Sequence, residues 1–240
     1  ETVAPGFFDV IFQVSPFDPF FDLSLQTVSL SGSTDLGTMV LGDAGIVSGT
    51  VVNEVGAPLE FVDLDFFDPI TSQPTVFSGD TTDASGNFSV KVTPAFWDVR
   101  FTADPASSPV ALVPVLRSDL AVFGLTPLGE VVLRNGYTLS GIVLEESGSP
   151  VVDGDIDILD PVTGDKLLTP GDNTDGSGEF SVLAPSGNWQ LEVDPPQGSM
   201  LVSSLTQISI PVGGINLGVL TLPDGFSVSG SVVDSSGQVV

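Results

Sequence analysis

Thr82-Asp83-Ala84-Ser85-Gly86-Asn87-Phe88-Ser89-Val90 returns further along the chain as Thr174-Asp175-Gly176-Ser177-Gly178-Glu179-Phe180-Ser181-Val182. Each copy has the pattern of a tight hairpin turn running directly into a strand. The Asp carboxylate accepts backbone N–H groups just ahead of it, and Gly three residues later takes the positive φ of a type I turn followed by a bulge. Phe and Val two apart then share one face of a sheet. The stretch identifies a repeated β module. It carries no catalytic signature, and none occurs elsewhere in the sequence.

The composition agrees with a turn-rich β protein. The 240 residues are 41% hydrophobic, with 27 Gly and 19 Pro and no long helical period. That is enough apolar matter for two or three small cores, and global disorder is not expected. Five Lys and Arg against 31 Asp and Glu leave a net charge of −26. Such a surface repels nucleic acid and anionic membranes, which need basic patches. It suits high-salt media or divalent cations. With no Cys and no His, the sequence contains no disulfide, no thiolate or imidazole zinc site, no haem ligand pair and no Ser-His-Asp triad. No apolar run is long enough to span a bilayer, and no signal peptide is recognisable. The chain opens on Glu1 rather than Met, the mark of a processed or partial product.

Working outward from the hairpin, a repeat of roughly 90 residues emerges, the size of one small β-sandwich. An aromatic opens an alternating strand at Phe8, Trp97 and Trp189. A closing strand recurs at Leu36-Gly37, Leu128-Gly129 and Leu217-Gly218, and an opening strand at Ser48-Gly49, Ser140-Gly141 and Ser229-Gly230. Residues 1–45 are then the C-terminal half of one repeat, with Phe8, Val10 and Phe12 on one face. Residues 46–136 and 137–225 are complete β-sandwich repeats. Residues 226–240 start a further repeat, with Phe226, Val228, Val232 and a turn from Asp234 to Gly237. In the first complete repeat, strands are expected over 110–116 and 130–133. Trp97, Val99 and Phe101 form an inward row that Trp189, Leu191 and Val193 repeat. Gly49 and Gly141 either leave room for a large ring or mark a bulge. The junctions Asn135-Gly136 and Asp224-Gly225 are not Gly/Ser linkers, which favours a stiff rod.

Ser48-Gly49-Thr50-Val51, Gly56-Ala57-Pro58-Leu59, the hairpin stretch and Pro94-Ala95-Phe96-Trp97 follow one another in order. Ser140-Gly141-Ile142-Val143, Gly148-Ser149-Pro150-Val151, the second hairpin and Pro185-Ser186-Gly187-Asn188-Trp189 do the same. This series resembles the carboxypeptidase regulatory-like domain, which is similar to transthyretin-like and Cna-B-type modules. The resemblance implies Greek-key β-sandwiches; with the repeats and their short junctions, the expected fold is an all-β chain of tandem Ig-like or prealbumin-like Greek-key β-sandwiches arranged as a rod. It also implies a place in secreted or surface proteins as a spacer or accessory domain. It supplies no catalytic residues.

Among the polar residues the acidic strand stands out. Asp63, Asp65 and Asp68 correspond to Asp155, Asp157 and Asp160. Carboxylates at i and i+2 on a strand point the same way, about 7 Å apart. With the turn acids Asp80 and Asp83, or Asp172 and Asp175, they form candidate Ca²⁺ ligand sets, since Ca²⁺ takes six to eight oxygens. The competing reading is a solvated polar face with Asp residues capping turns; no EF-hand spacing is present. Trp97 and Trp189 head inward rows and are expected in the core rather than as sugar platforms. Related surface modules carry Lys–Asn isopeptide bonds. Here Lys91 faces outward and Lys166 lies in a loop, so none is expected. A carboxylate pair for glycoside hydrolysis would need a cleft that a small sandwich lacks.

The sequence therefore points to a non-enzymatic extracellular or cell-surface structural protein, a segment of a stalk, adhesin shaft or filament. The alternative is an accessory array of binding modules beside a secreted enzyme. A binding module should expose an aromatic cluster in one repeat that the other lacks. Residues 17–21, with Phe17, Phe20 and Phe21, are either a partner site or an interdomain plug. Expected partners are neighbouring repeats or further copies in a fibre, with no nucleic acid and no membrane insertion. The incomplete ends suggest a window on a longer array or strand donation between chains, of which the array is favoured.

Overall fold

The computed structural model describes residues 3–15, 18–105, 110–232, 234–236 and 238. Glu1, Phe17 and the turn glycine Gly237 lie outside the described residues. The protein is all-β: among the described residues there are fifteen strands and no helix, hence no helix able to cross a membrane. The chain divides into residues 1–134 and 135–240.

In the first unit, β1 (Gly6–Phe12) and β2 (Leu23–Leu30) form a two-stranded antiparallel sheet. The remaining strands are β3 (Gly45–Asn53), β4 (Val62–Phe67), β5 (Pro74–Thr75), β6 (Asn87–Val92), β7 (Ala95–Ala103), β8 (Val115–Val122) and β9 (Leu125–Leu133). They make two sheets, in the orders β6-β3-β9 and β5-β4-β7-β8. Period-two alternation sends Val47, Val51, Val90 and Val131 from one sheet, and Leu64, Phe66, Val99 and Phe101 from the other, into one shared core. Trp97 closes that core through edge-to-face contacts with Phe66 and Phe77.

The second unit repeats the arrangement with β10 (Tyr137–Glu145), β11 (Asp155–Leu159), β12 (Glu179–Ala184), β13 (Gly187–Asp194), β14 (Ser204–Ile210) and β15 (Ile215–Leu222). Its sheets run β12-β10-β15 and β11-β13-β14. Trp189 is 5% exposed against 6% for Trp97, and both are therefore core residues. Each indole N–H donates to the carbonyl four residues back, on Thr93 or Pro185, at 2.9 Å. In both sandwiches the opening and closing strands run parallel, β3 with β9 and β10 with β15.

Both sequence readings of the inward glycines hold at once. A Cβ on Gly49 would lie 2.8 Å from the Phe88 ring, and one on Gly141 would lie 2.8 Å from the Phe180 ring. The register also slips beside each, opposite closing-strand glycines at φ +67° (Gly129) and +72° (Gly218). The hairpin threonines have a role the sequence did not show. Buried Thr82 Oγ1 accepts from Val62 N–H and donates to Leu59 C=O. Thr174 does the same between Gly154 and Val151.

Three strand assignments need correction. Residues 111–114 are not a regular strand, because Pro114 has no N–H to donate and Val113 instead bonds Arg134 C=O; the strand is Val115–Val122. The segments at Leu36-Gly37 and Ser229-Gly230 are irregular. Their counterparts β9 and β3 are strands because they pair with each other, and no such partner lies beside these segments among the described residues. Phe226 and Val228 are accordingly almost fully exposed.

The N-terminal hairpin and the first sandwich each carry a bulge of the same design. Asp9 Oδ1 accepts Thr27 N–H and Asp98 Oδ1 accepts Asp119 N–H, both at 2.8 Å. Thr27 and Asp119 sit at φ +56° and +54°, and the register shifts beside both carboxylates. The β1–β2 hairpin is thus built like β7–β8. The segment after it folds onto the first sandwich: Lys91 Nζ donates to Ser15 and Phe20 carbonyls at 2.9 Å each, and Phe20 bridges Asp43.

Candidate functional site: the acidic outer face of β11 and β13

Strand register decides what each Asp faces. In the first unit Asp65 lies opposite Arg100 across the β4–β7 pair, and the two form an ion pair at 2.7 Å. The guanidinium also stacks 4.9 Å from the Phe67 ring centroid. Asp63 faces neutral Thr102. In the second unit the corresponding pairs are Asp157 with Glu192 and Asp155 with Asp194, carboxylate opposite carboxylate. Like charges directly opposed destabilise a sheet. Lys166 relieves part of this: its ammonium bonds Asp157 and lies 3.9 Å from Glu192. Asp172 joins from the loop before the hairpin, with one oxygen held by the buried Thr169 hydroxyl at 2.7 Å.

Two triads of carboxylates come within 4.8 Å: Asp155, Asp157 and Asp172, and Asp157, Glu192 and Asp194. Asp155, Asp157 and Asp172 belong to the expected set. Glu192 and Asp194 do not, because only strand pairing reveals them. Asp157 is an outward residue yet only 8% exposed, covered by its cross-strand neighbours and Lys166. Asp83 and Asp175 are elsewhere, each occupied by its own turn: Asp83 accepts from Ser85 and Asn87, Asp175 from Ser177 and Glu179. Asp63, Asp65 and Asp80 form no such triad in the first unit among the described residues. Asp63 feels both neighbours, but Arg100 already neutralises Asp65.

A divalent cation on the second unit's cluster would compete with the Lys166 ammonium for Asp157. Replacing Lys166 with Met should therefore leave Asp157 and Glu192 opposed without a counter-charge. Lys166 is half exposed, so solvent screening holds the expected loss to about 1–2 kcal/mol. Millimolar Ca²⁺ should recover it in the variant. A melting temperature indifferent to both Lys166→Met and Ca²⁺ would show that water alone relieves these acids.

The acids also set a pH dependence. Burial, then Asp157 and Asp172, pushes the Asp155 carboxyl above its ordinary value of 3.8. Burial, then Asp65 and Asp80, does the same to Asp63. Such groups take up protons earlier in the folded state, so stability rises as pH falls through their folded pKa. Asp83 is held down by the Asn87 and Ser85 N–H groups, and Asp68 by those of Thr71 and Ile70. Their contribution is present above 3.8 and lost as pH falls through the folded pKa. Thermal stability should rise on mild acidification and drop again below the ordinary carboxylate range. Asp155→Asn should reduce the rise in a series of melts against pH, leaving the part set by Asp63.

No family model matches the chain, and no curated protein matches it. Among solved structures it is similar to the Bacillus anthracis TIE protein, at 14% identity over 92% of this chain and 41% of that one, with a TM-score of 0.33. It is similar to a streptococcal ancillary pilin at 14% identity, over 92% and 76% of the two chains, with a TM-score of 0.32. A shaft pilin from Lactobacillus rhamnosus GG is 10% identical over 78% of this chain and all of that one, with a TM-score of 0.33. The chain spans about two fifths of the first of these. At such identities and TM-scores the likeness carries no argument about function.

Proposed function

We propose that this chain is a non-enzymatic segment of a repetitive extracellular stalk, adhesin shaft or filament. The observation that carries the reading is the repetition of one Trp-anchored sandwich with its structural detail intact. Hairpin, buried Thr bridge, inward glycine, parallel closing strand and indole hydrogen bond recur in both units. What is repeated is turn and core chemistry, the part of a module that serves folding and spacing. The polar residues at corresponding outer positions differ: Asp65 meets Arg100, whereas Asp157 meets Glu192. A shared catalytic or ligand set would have to lie among such positions. The hairpins and the Pro-to-Trp motifs support placing the repeats with carboxypeptidase regulatory-like domains. The expected partners are neighbouring repeats and further copies of the chain.

One observation favours the second reading, an array of binding modules. Phe96 and Phe123 are 53% and 63% exposed, with their rings edge to face at 5.5 Å. Asn188 and Pro211 stand at the corresponding places of the other unit. Electron microscopy of the native particle tests both readings. A shaft or fibre is expected; an appendage on an enzyme would transfer the assignment to the binding array.

A further inference from the structure

β14 departs from its counterparts in a way that bears on how chains meet. It is an edge strand, paired with β13 on one side and with no strand on the other among the described residues. Open edges offer a row of unpaired N–H and C=O groups, and proteins blunt them with charges, prolines or bulges. The other edges in the second unit are blunted. β11 carries Asp155 and Asp157, β12 carries Glu179, and β15 is bulged at Gly218. The equivalents of β14 are blunted as well: β8 carries Arg117 and is bulged at Asp119, and β2 is bulged at Thr27.

β14 has none of these devices. It stays in unbroken register with β13 from Ser204 to Ile210. The cause is visible one strand away: Gln190 replaces Asp9 and Asp98, the carboxylates that hold the other two bulges. Nor does a charge protect it. In a chain of net charge −26, no acidic or basic residue occurs between Asp194 and Asp224. Leu205, on the outer face, is 58% exposed.

We propose that β14 is a pairing edge at which two copies of this chain join antiparallel, making one continuous sheet across a two-fold axis. The inference rests on the self-association contained in the proposed function and names its surface. A second copy is the occupant because β14 itself is uncharged and the nearest acids, such as Glu192 opposite Leu205, stand one strand back from the junction, where salt screens them from their counterparts. The strand is also self-complementary. With the axis at Gln207, that amide faces its own copy, Leu205 faces Ser209, and Thr206 faces Ile208. Such an isologous contact is closed and joins chains side by side. A single strand edge is smaller than a standard interface of about 1,600 Å², so weak association is expected.

The test is sedimentation of the full chain at physiological salt, up to about 1 mM. Gln207→Glu and Gln207→Lys each place like charges across the axis. Each should weaken dimerisation at least tenfold, although they move the net charge in opposite directions. Mixing the two variants should restore dimers. Trp189 fluorescence checks that both remain folded. Association unchanged in both variants would overturn this surface while leaving the self-association reading in place. A wild-type chain that stays monomeric throughout would overturn the pairing and that self-association together, with the stalk reading left to microscopy. Shifts of the amide resonances of β14 on adding an unrelated extended peptide, without self-pairing, would make the edge a peptide acceptor and likewise overturn the proposal.

Discussion

Trp189→Ala is expected to remove about 3–5 kcal/mol from the second unit, the usual cost of emptying a buried aromatic site. The indole belongs to a buried core that, Phe180 apart, is made of aliphatic chains such as Ile158 and Leu191. These chains are held by both sheets and can collapse only partly into the space. The Pro185 carbonyl also loses its indole donor. A unit of this size has a total stability of about 5–15 kcal/mol, so a large part of it is at stake. The melting temperature should fall by roughly 12–40 °C at about 4–8 °C per kcal/mol. Trp97→Ala should act on the first unit to a similar extent, with its own signature. Phe66 and Phe77, which meet the Trp97 ring edge to face, also meet each other at 5.2 Å and can close part of the gap. Calorimetry of both variants measures the pair. A loss below about 1 kcal/mol in either would contradict the core placement.

Gly178→Ala is expected to cost about 3 kcal/mol or more, although it adds one methyl group. Gly178 adopts φ +76°, where an L side chain is strained by about 1–2 kcal/mol. Its added Cβ would also lie 2.4 Å from the Val143 carbonyl oxygen. That oxygen belongs to β10 and accepts the Val151 N–H, while Val143 N–H bonds the Gly178 carbonyl at 2.8 Å. The turn cannot back away without breaking its tie to the sheet. Gly148→Ala supplies the control. Its φ is +85°, but a Cβ there meets nothing within 4 Å, so only the backbone strain of about 1 kcal/mol is expected. Denaturant melts of the two variants separate strain from collision. Equal losses would mean that the close approach to β10 is not what constrains the hairpin. Gly86→Ala should match Gly178→Ala, because its Cβ would lie 2.4 Å from the Val51 carbonyl oxygen.

The features legible in the letters alone are those that depend on neighbours close in the chain. Asp83 and Asp175 accept N–H groups two and four residues ahead, so both turns were readable from the letters. The Trp rows were readable because alternation has period two and needs no partner strand. The candidate site was legible only in part. The spacing of Asp155, Asp157 and Asp172 shows in the sequence, but the place of Glu192 and Asp194 beside the acidic strand depends on the β11–β13 register. The same register sets Glu192 beside Asp157, while the turn over residues 160–165 brings Lys166 back beside Leu159 and onto the Asp157 carboxylate. Tertiary structure alone also decided which strands form. The Leu128-Gly129 motif lies in a strand because β3 lies beside it, while Leu36-Gly37 has the same letters and no such partner among the described residues. It decided the bulges too, since Asp9 and Asp98 reach the N–H of residues 18 and 21 positions away, on the neighbouring strand. The physical reason is common to all these cases. A turn is stabilised by hydrogen bonds within a few residues, whereas a strand is stabilised by the strand it meets. That meeting is set by how both sheets close over one core.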